Sequence, residues 1–377
     1  MCKKLAENPD SLVLDVKTGA GAFMSKEEDA IALAKSMIAA GEGDGKVTTA
    51  FVTSMDQPLG RAVGNWLEVA ESIRTLSGDG PTDLEDLSVT LAAQMLVQAH
   101  GGKEQFKTLS QAEEVARAQL RNGQALSSFR KMVVAQGGDP HVIDSMASSP
   151  HGPEAQARPS GSSMLILQAH YGAGDAKPVA AAAASGSAKR KAGGPHGPFW
   201  GPPCQGLEGC SSLETFFRRA EGADPAPDGG NEAVEDADEA EAFARSRRAP
   251  HGPVMAHVTS LDALTVGRAC VDFGGGRVQL GEALSLGAGV LLHKKIGDPL
   301  RQGDVLFTLF AETGGNGGET GTRRVIEPEA AAAACARIIG AYGFKAGKPS
   351  AHVSARLMGS LIRCFINEQG QTITDFD

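Results

Sequence analysis

Asp15 and Lys17 stand two residues apart in an apolar, β-branched run, Leu12-Val-Leu-Asp-Val-Lys17, and the glycine-rich stretch Gly19-Ala-Gly-Ala-Phe-Met24 follows at once. Such a run predicts a buried strand that delivers the acid and the base to its C-terminal end. A strand end that feeds a glycine turn and then a helix is where α/β proteins bind ligands. The glycines permit close approach of a flat ligand to the backbone, with Phe23 offering an apolar ring face and Met24 a soft contact. The plain alternative is that Phe23 and Met24 are core residues at the start of a helix.

Several other chemistries are excluded or weakened. Gly19-Ala-Gly21 is not a dinucleotide fingerprint, because position 24 is Met where a third glycine is wanted and no ribose-binding acid follows at the usual distance. No GxxxxGK[ST] phosphate loop is present. Cys2, Cys204, Cys210, Cys270, Cys335 and Cys364 are scattered without metal-ligand spacing and fit reduced thiols. Pro-His-Gly-Pro occurs at 150–153, 195–198 and 250–253, but His151, His196 and His251 lack the close-range spacing of a metal site. On spacing alone, Glu68 and Glu71 are the polar face of a helix.

The elements that position these residues alternate. The run 12–16 reads as a strand, 26–40 as a helix, 46–54 as a second strand, and 59–76, 84–99, 109–122 and 125–135 as helices. Ser25 and Glu28 predict a capping box for the first helix, and Gly41, Gly43 and Gly45 predict its end. A strand, a helix and a strand of these lengths predict a parallel pair with a right-handed crossover. Further on, 264–278 reads as a helix running into a tight turn. The segments around Ile296-Gly-Asp298 and Gln302-Gly-Asp304 predict two strands folded back as a compact hairpin, with Pro299 in the turn. Lys294 and Lys295 fall within the approaching strand, not at an exposed tip, which argues against a lipoyl- or biotinyl-type carrier. A helix is expected over 328–342.

The chain has 377 residues with 48 glycines and 19 prolines, enough for one or two domains plus an unfolded segment. Its net charge of −9 argues against a nucleic-acid partner, which calls for a concentrated basic face. Apolar runs are too short to span a membrane and the first ten residues lack the core of a secretory signal, so the cytoplasm is the expected compartment. The reading divides the chain into an α/β domain over 1–146, a low-complexity and disordered insertion over 147–249, a second domain over 250–350 and an unassigned tail over 351–377. Excising 151–250 leaves one Pro-His-Gly-Pro copy in a continuous chain, which favours an insertion or unspliced sequence over a domain.

Three segments carry a resemblance. Cys2-Lys-Lys-Leu-Ala-Glu7, residues 12–24, and Met55-Asp-Gln-Pro-Leu-Gly-Arg-Ala-Val-Gly-Asn65 with Leu67-Glu-Val-Ala-Glu71 together resemble the thymidine and pyrimidine-nucleoside phosphorylases, with Trp66 where a small alanine is usual. The segment 251–311 resembles the C-terminal domain of the same enzymes. The resemblance implies an α/β fold with a mixed or parallel sheet under helical cover, and a small α+β C-terminal domain with a barrel-sandwich-like hairpin. By resemblance Lys3 binds the pyrimidine ring oxygen, and Phe23 with Met24 lines the base pocket. Asp15 and Lys17 either orient ligand-contacting groups or form a structural ion pair. The carbonyls of Leu59 and Ala62 and the carboxylate of Glu71 hold a monovalent cation, potassium, which oxygen-only ligation suits.

The implied reaction is phosphorolysis: phosphate, as co-substrate, attacks C1′ of a pyrimidine nucleoside and releases the free base and pentose 1-phosphate, with no organic cofactor. A lysine near the base carbonyl stabilises the charge that builds as the glycosidic bond breaks. The family signature S-G-R-x-L-x-x-T-G-G-T-x-D-x-x-E and its phosphate-binding groups do not occur in this sequence. The expectations are therefore that the reading frame begins upstream of Met1, that the helical lobe of the family's homodimer is missing, and that this chain alone is inactive. An AMP-phosphorylase-like activity and a non-catalytic binding protein are the competing readings.

Overall fold

Ser11–Thr18 (β1) and Val47–Ser54 (β2) run parallel, in register from Ser11 opposite Val47 to Thr18 opposite Ser54, as a strand–helix–strand pattern demands. The helix between them, Glu27–Glu42 (α2), buries Ala30, Ala34 and Ile38 at helical spacing against Leu14, Val16, Ala50 and Val52. The computed structural model describes residues 1–100, 106–147, 163–171, 178–184, 253–280, 282, 284–313, 328–347 and 361–374. They form a mixed α/β fold.

The start of α2 corrects the capping-box expectation. Lys26 is the N-cap and no side chain caps the helix. Met24 bridges Thr18 and its carbonyl accepts from Gly19 N–H, so backbone pairing sets where the helix begins and leaves Ser25 one residue too early. Glu27, Glu28 and Asp29 occupy the first turn, where the helix dipole favours acids. At the other end Gly45 adopts φ +72° and the Gly45 and Lys46 N–H groups return to the carbonyls of Glu42 and Gly41, as the glycine run predicted.

Helical cover follows in Asn65–Leu76 (α3), Thr82–His100 (α4), Leu109–Arg121 (α5), Gln124–Ala135 (α6) and Pro140–Ala147 (α7), with a short helix, Cys2–Ala6 (α1), before β1. The helix expected from 59 begins only at Asn65, because Ala62–Val63 (β3) pairs with Gly289–Leu292 (β7). Trp66, the departure from the usual alanine, packs between two clusters: Leu67, Leu291 and Phe310 on one side and Ile73, Ile143 and Met146 on the other.

The second half builds on β7. It pairs antiparallel with Val305–Thr313 (β9), the expected hairpin. The hairpin's connection is more elaborate than a turn, because Pro299–Leu300 (β8) leaves it to pair with Ala256–Leu261 (β6), which also pairs with Tyr342–Ala346 (β10). Ala263–Cys270 (α8) runs into a tight turn in which Gly274 has φ +97°, and Pro328–Gly340 (α9) packs on the same core.

Two findings revise the organisation read from sequence. Ser163–Tyr171 (β4) pairs antiparallel with β9 and with Pro178–Ala184 (β5), so the order of this sheet is β3-β7-β9-β4-β5. Tyr171 is buried, its ring 5.5 Å from that of Phe344. The stretch 147–249 is therefore not uniformly unstructured: a nine-residue apolar run was hidden by averaging composition over a hundred residues. The rest of that stretch, including the repeats around 150 and 195, lies outside the described residues. The second finding is in the tail. Ile362–Ile366 (β11) pairs antiparallel with β2 and with Thr372–Ile373 (β12), giving the sheet order β1-β2-β11-β12.

Candidate functional site

At the C-terminal ends of β1 and β2 the glycine loop is stapled to the residues that follow β2. Ala20 N–H donates to Asp56 Oδ1 at 3.2 Å and Gly21 N–H to the Met55 carbonyl at 2.9 Å. Gly19 has φ +109° and lies against the Asp56 carboxylate, so a side chain there is excluded twice over. Asp56 Oδ2 accepts from Ser54 Oγ and from Arg363 of β11, each at 3.0 Å, and the Asp56 carbonyl accepts from Ala263 N–H at the head of α8. One aspartate thus joins the glycine loop, the tail strand and the second half of the chain. Its position in the Met55-Asp-Gln segment was noticed in the sequence, its role was not. Arg363 carried no signal at all.

Phe23 is fully exposed at the tip of this loop, which corrects the reading of it as a core residue. Met24 is partly buried against the cluster of Leu14, Val16 and Ala30. Asp15, Lys17 and Thr53 form a closed triad: Lys17 Nζ lies 2.6 Å from Asp15 Oδ2 and 3.0 Å from Thr53 Oγ1, which donates to Asp15 Oδ1. The spacing of two puts both charged residues on one face of the strand. Lys3 is exposed on α1, and among the described residues no hydrogen bond or ion pair joins it to the loop.

The second constellation surrounds Gly60, which turns with φ +68°. Glu71, buried on α3, accepts at Oε1 from Arg61 N–H at 2.8 Å and Ala62 N–H at 3.1 Å, and its Oε2 lies where a Gly60 Cβ would be. Asp83 of α4 accepts Gly60 N–H at 3.2 Å on Oδ2, the same oxygen that binds the buried ammonium of Lys295. Burial pushes the Glu71 carboxyl above its ordinary range, against the pull of its two backbone donors, while the Asp83 charge adds to the rise. Burial also lowers the Lys295 ammonium, with Asp83 opposing. Glu68 is exposed, as the polar face of a helix predicts, and its carboxylate also accepts the Gly64 N–H at the start of α3.

Lys295 and Lys294 lie just beyond β7, not inside a strand. Lys294 pairs with the buried Asp304 at 2.7 Å, so both lysines are engaged internally. The second half is tied to the Gly60 turn at further points: Arg61 Nη1 donates to the carbonyls of Leu292 and His293, and Ile296 N–H donates to Gln57 Oε1. Asp83 and Lys295 were missed in the sequence because neither neighbours the motif they serve.

The donors around the Gly60 turn test the implied cation. Glu71 and Asp83 accept there from the N–H groups of Gly60, Arg61 and Ala62 and from the Lys295 ammonium, so their described contacts are hydrogen donors, and the oxygen-only set that the resemblance implies is not assembled among them. Among the described residues no cluster of His, Cys, Asp and Glu offers a transition-metal site, and no helix is long and apolar enough to cross a membrane.

Residues 1–126 match the family model described as "Glycosyl transferase family, a/b domain", and residues 257–318 match "Pyrimidine nucleoside phosphorylase C-terminal domain". The chain is 47% identical over 150 residues to a pyrimidine-nucleoside phosphorylase of Bacillus subtilis (strain 168), covering 40% of this chain and 34% of that protein. It is also 47% identical over 144 residues to a pyrimidine-nucleoside phosphorylase of Staphylococcus haemolyticus (strain JCSC1435), covering 38% and 32%. Both matched segments and both relatives are thus similar to the pyrimidine-nucleoside phosphorylases. It spans about a third of the length of the curated relatives it matches. Both family-matched segments meet in the folded molecule: the phosphorylase α/β segment supplies the glycine loop and the Gly60 turn, and the phosphorylase C-terminal segment closes on both, through Ala263 and through Lys295.

Proposed function

We propose that this chain carries the nucleoside-binding and cation-holding part of a pyrimidine-nucleoside phosphorylase, acting in the cytosol on a pyrimidine nucleoside with phosphate as co-substrate. The observation that carries the reading is the junction at Asp56, where the glycine loop bearing the exposed Phe23 is held against both halves of the chain. Phe23 supplies a ring face to the base, and Met24 fixes the loop beneath it. Lys3 takes the base oxygen, which favours departure of the pyrimidine as negative charge grows on it. The Asp15–Lys17–Thr53 triad stiffens the strand ends that carry the loop.

By resemblance, Glu71 and the carbonyls of Leu59 and Ala62 would hold a potassium ion, which would supply positive charge at the Gly60 turn. The rest of the reaction is positioning: phosphate must reach C1′ in line with the departing base, and a loop pinned at Asp56 limits how far the nucleoside can wander. Because the family's phosphate signature does not occur in this sequence, the 377-residue chain is expected to bind nucleoside with little or no turnover.

Calorimetric titration of the full chain with uridine, thymidine and adenosine tests this reading, with phosphate-dependent base release followed by chromatography. Pyrimidine nucleosides should bind in preference to adenosine, and Phe23→Ala should weaken binding by about tenfold, the value of one base–aromatic stack. Equal binding of adenosine, or a Phe23→Ala variant that binds like the wild type, sinks it.

A further inference from the structure

Along the edge of β2, Ile362 of β11 stands opposite Thr53 and Cys364 opposite Val52, so two steps along β11 match one along β2 and Arg363 is the bulged residue between them. A bulge re-aims the side chain it carries. The strand around it is fixed by other contacts: Cys364 and Ile366 are buried with the α2 cluster, Phe365 packs on Phe51 with ring centroids 4.9 Å apart, and Ser54 N–H donates to the Leu361 carbonyl at 2.7 Å. From that support Arg363 Nη2 donates to Asp56 Oδ2 at 3.0 Å and reaches Ser54 Oγ at 3.4 Å. Arg363 lies outside both family-matched segments.

The two oxygens of Asp56 have separate partners. Oδ1 accepts Ala20 N–H and lies directly against Gly19, while Oδ2 takes the arginine and the Ser54 hydroxyl. Rotating the carboxylate disturbs both sets, so a guanidinium held on Oδ2 keeps Oδ1 aimed at the loop. None of residues 19–23 is buried, so hydrogen bonds rather than core packing set the shape of the loop that carries Phe23. The ion pair itself is partly exposed, with 32% of the Arg363 side chain and 49% of that of Asp56 accessible, and such pairs contribute little to overall stability. Its effect therefore falls on the loop and not on the fold. We propose that Arg363 is a positioning residue for nucleoside binding: acting through Asp56, and without touching the ligand, it holds the glycine loop in the conformation that presents Phe23. The inference rests on the nucleoside reading of the Phe23 loop given above and deepens it, by assigning part of the affinity to a residue of the tail.

The test is calorimetric titration of the full chain with uridine, together with thermal unfolding and amide hydrogen exchange of the peptide spanning 18–24. Arg363→Gln should weaken uridine binding about fivefold, the loss expected where the competent loop is populated about one time in five, while the melting temperature moves by less than about 2 °C. Exchange at Ala20 should accelerate in the same variant. Arg363→Lys, which can still place one charged donor on Asp56 Oδ2, should restore most of the affinity and the slow exchange. In the Phe23→Ala background Arg363→Gln should have no further effect on binding, because the loop then presents no ring. A wild type that does not bind uridine refutes the nucleoside reading and the inference together. A wild type that binds, with an Arg363→Gln variant of equal affinity or unchanged exchange, refutes the inference alone. So does a loss of affinity that Arg363→Lys fails to restore, or one that comes with a loss of the folded state, since Arg363 would then be a strut of β11 only.

Discussion

Gly60→Ala is the substitution that measures how firmly Glu71 holds its turn. Alanine at φ +68° meets the left-handed penalty of an L-residue, and its Cβ would run into the Glu71 carboxylate. Gly45 offers the matched control, with φ +72° and nothing within 4 Å of the position of its Cβ. Gly45→Ala should therefore cost about 1 kcal/mol, the conformational penalty less the gain from a stiffer unfolded chain. Gly60→Ala must in addition displace a buried carboxylate from the N–H groups of Arg61 and Ala62, and hydrogen bonds to charged groups are worth about 1.5–3 kcal/mol each. Even with partial relaxation the total should approach about 4 kcal/mol, which corresponds to a melting temperature lowered by about 10 °C against about 3 °C for the control. Urea and thermal unfolding followed by far-ultraviolet circular dichroism on both variants give the comparison. Equal losses at the two glycines would refute the account of Glu71 as the clamp of this turn.

Tyr171→Ala should cost about 3 kcal/mol in the same assay, because Tyr171 is buried against Phe344 in the core of the second half; an effect under about 0.5 kcal/mol, typical of surface sites, would place β4 outside the folded core. Trp66→Ala should cost about 2–3 kcal/mol, since it uncouples two clusters at once. Site-resolved alkylation by mass spectrometry should label exposed Cys2 readily at pH 8, while Cys270 and Cys335, whose thiols burial pushes up to about 12, stay unlabelled until urea unfolds the chain. Raising the pH to 9 should leave both protected, because a thiol at about 12 is only about one part in a thousand thiolate there. Labelling of Cys270 in the native state at pH 8 would contradict its placement behind Val63.

Local pattern was enough for β1, α2 and β2: an apolar run, a helix of sixteen residues and a second β-branched run admit little besides a parallel pair. The glycine loop was equally legible, because Gly19 and Gly21 sit where backbone and side chains crowd in. What escaped was long-range. Glu71 stands inside its motif, but the groups that complete its cluster, Asp83 and Lys295, come from another helix and from the other half of the chain. The tail strand β11 is five residues long, and a run so short names no partner until β2 offers its edge. Helix starts failed where pairing overrode propensity, at Ser25 through the Thr18–Met24 bridge and at 59–64 through β3.

The seat of β11 has a consequence for how the chain is made. Ser54 at the end of β2 and Arg363 on β11 are 309 residues apart, yet they are neighbours in one sheet. A ribosome adding about 5–20 residues per second needs roughly 15–60 s to supply the second after the first. For that interval β2, Val-Thr-Thr-Ala-Phe-Val-Thr-Ser, has β1 on one side and an unsatisfied edge on the other, rich in β-branched residues and free of charge. Such an edge is a template for pairing with other nascent chains. The vulnerable stage in producing this protein is thus the wait between the emergence of β2 and that of β11, and slower translation should lengthen it.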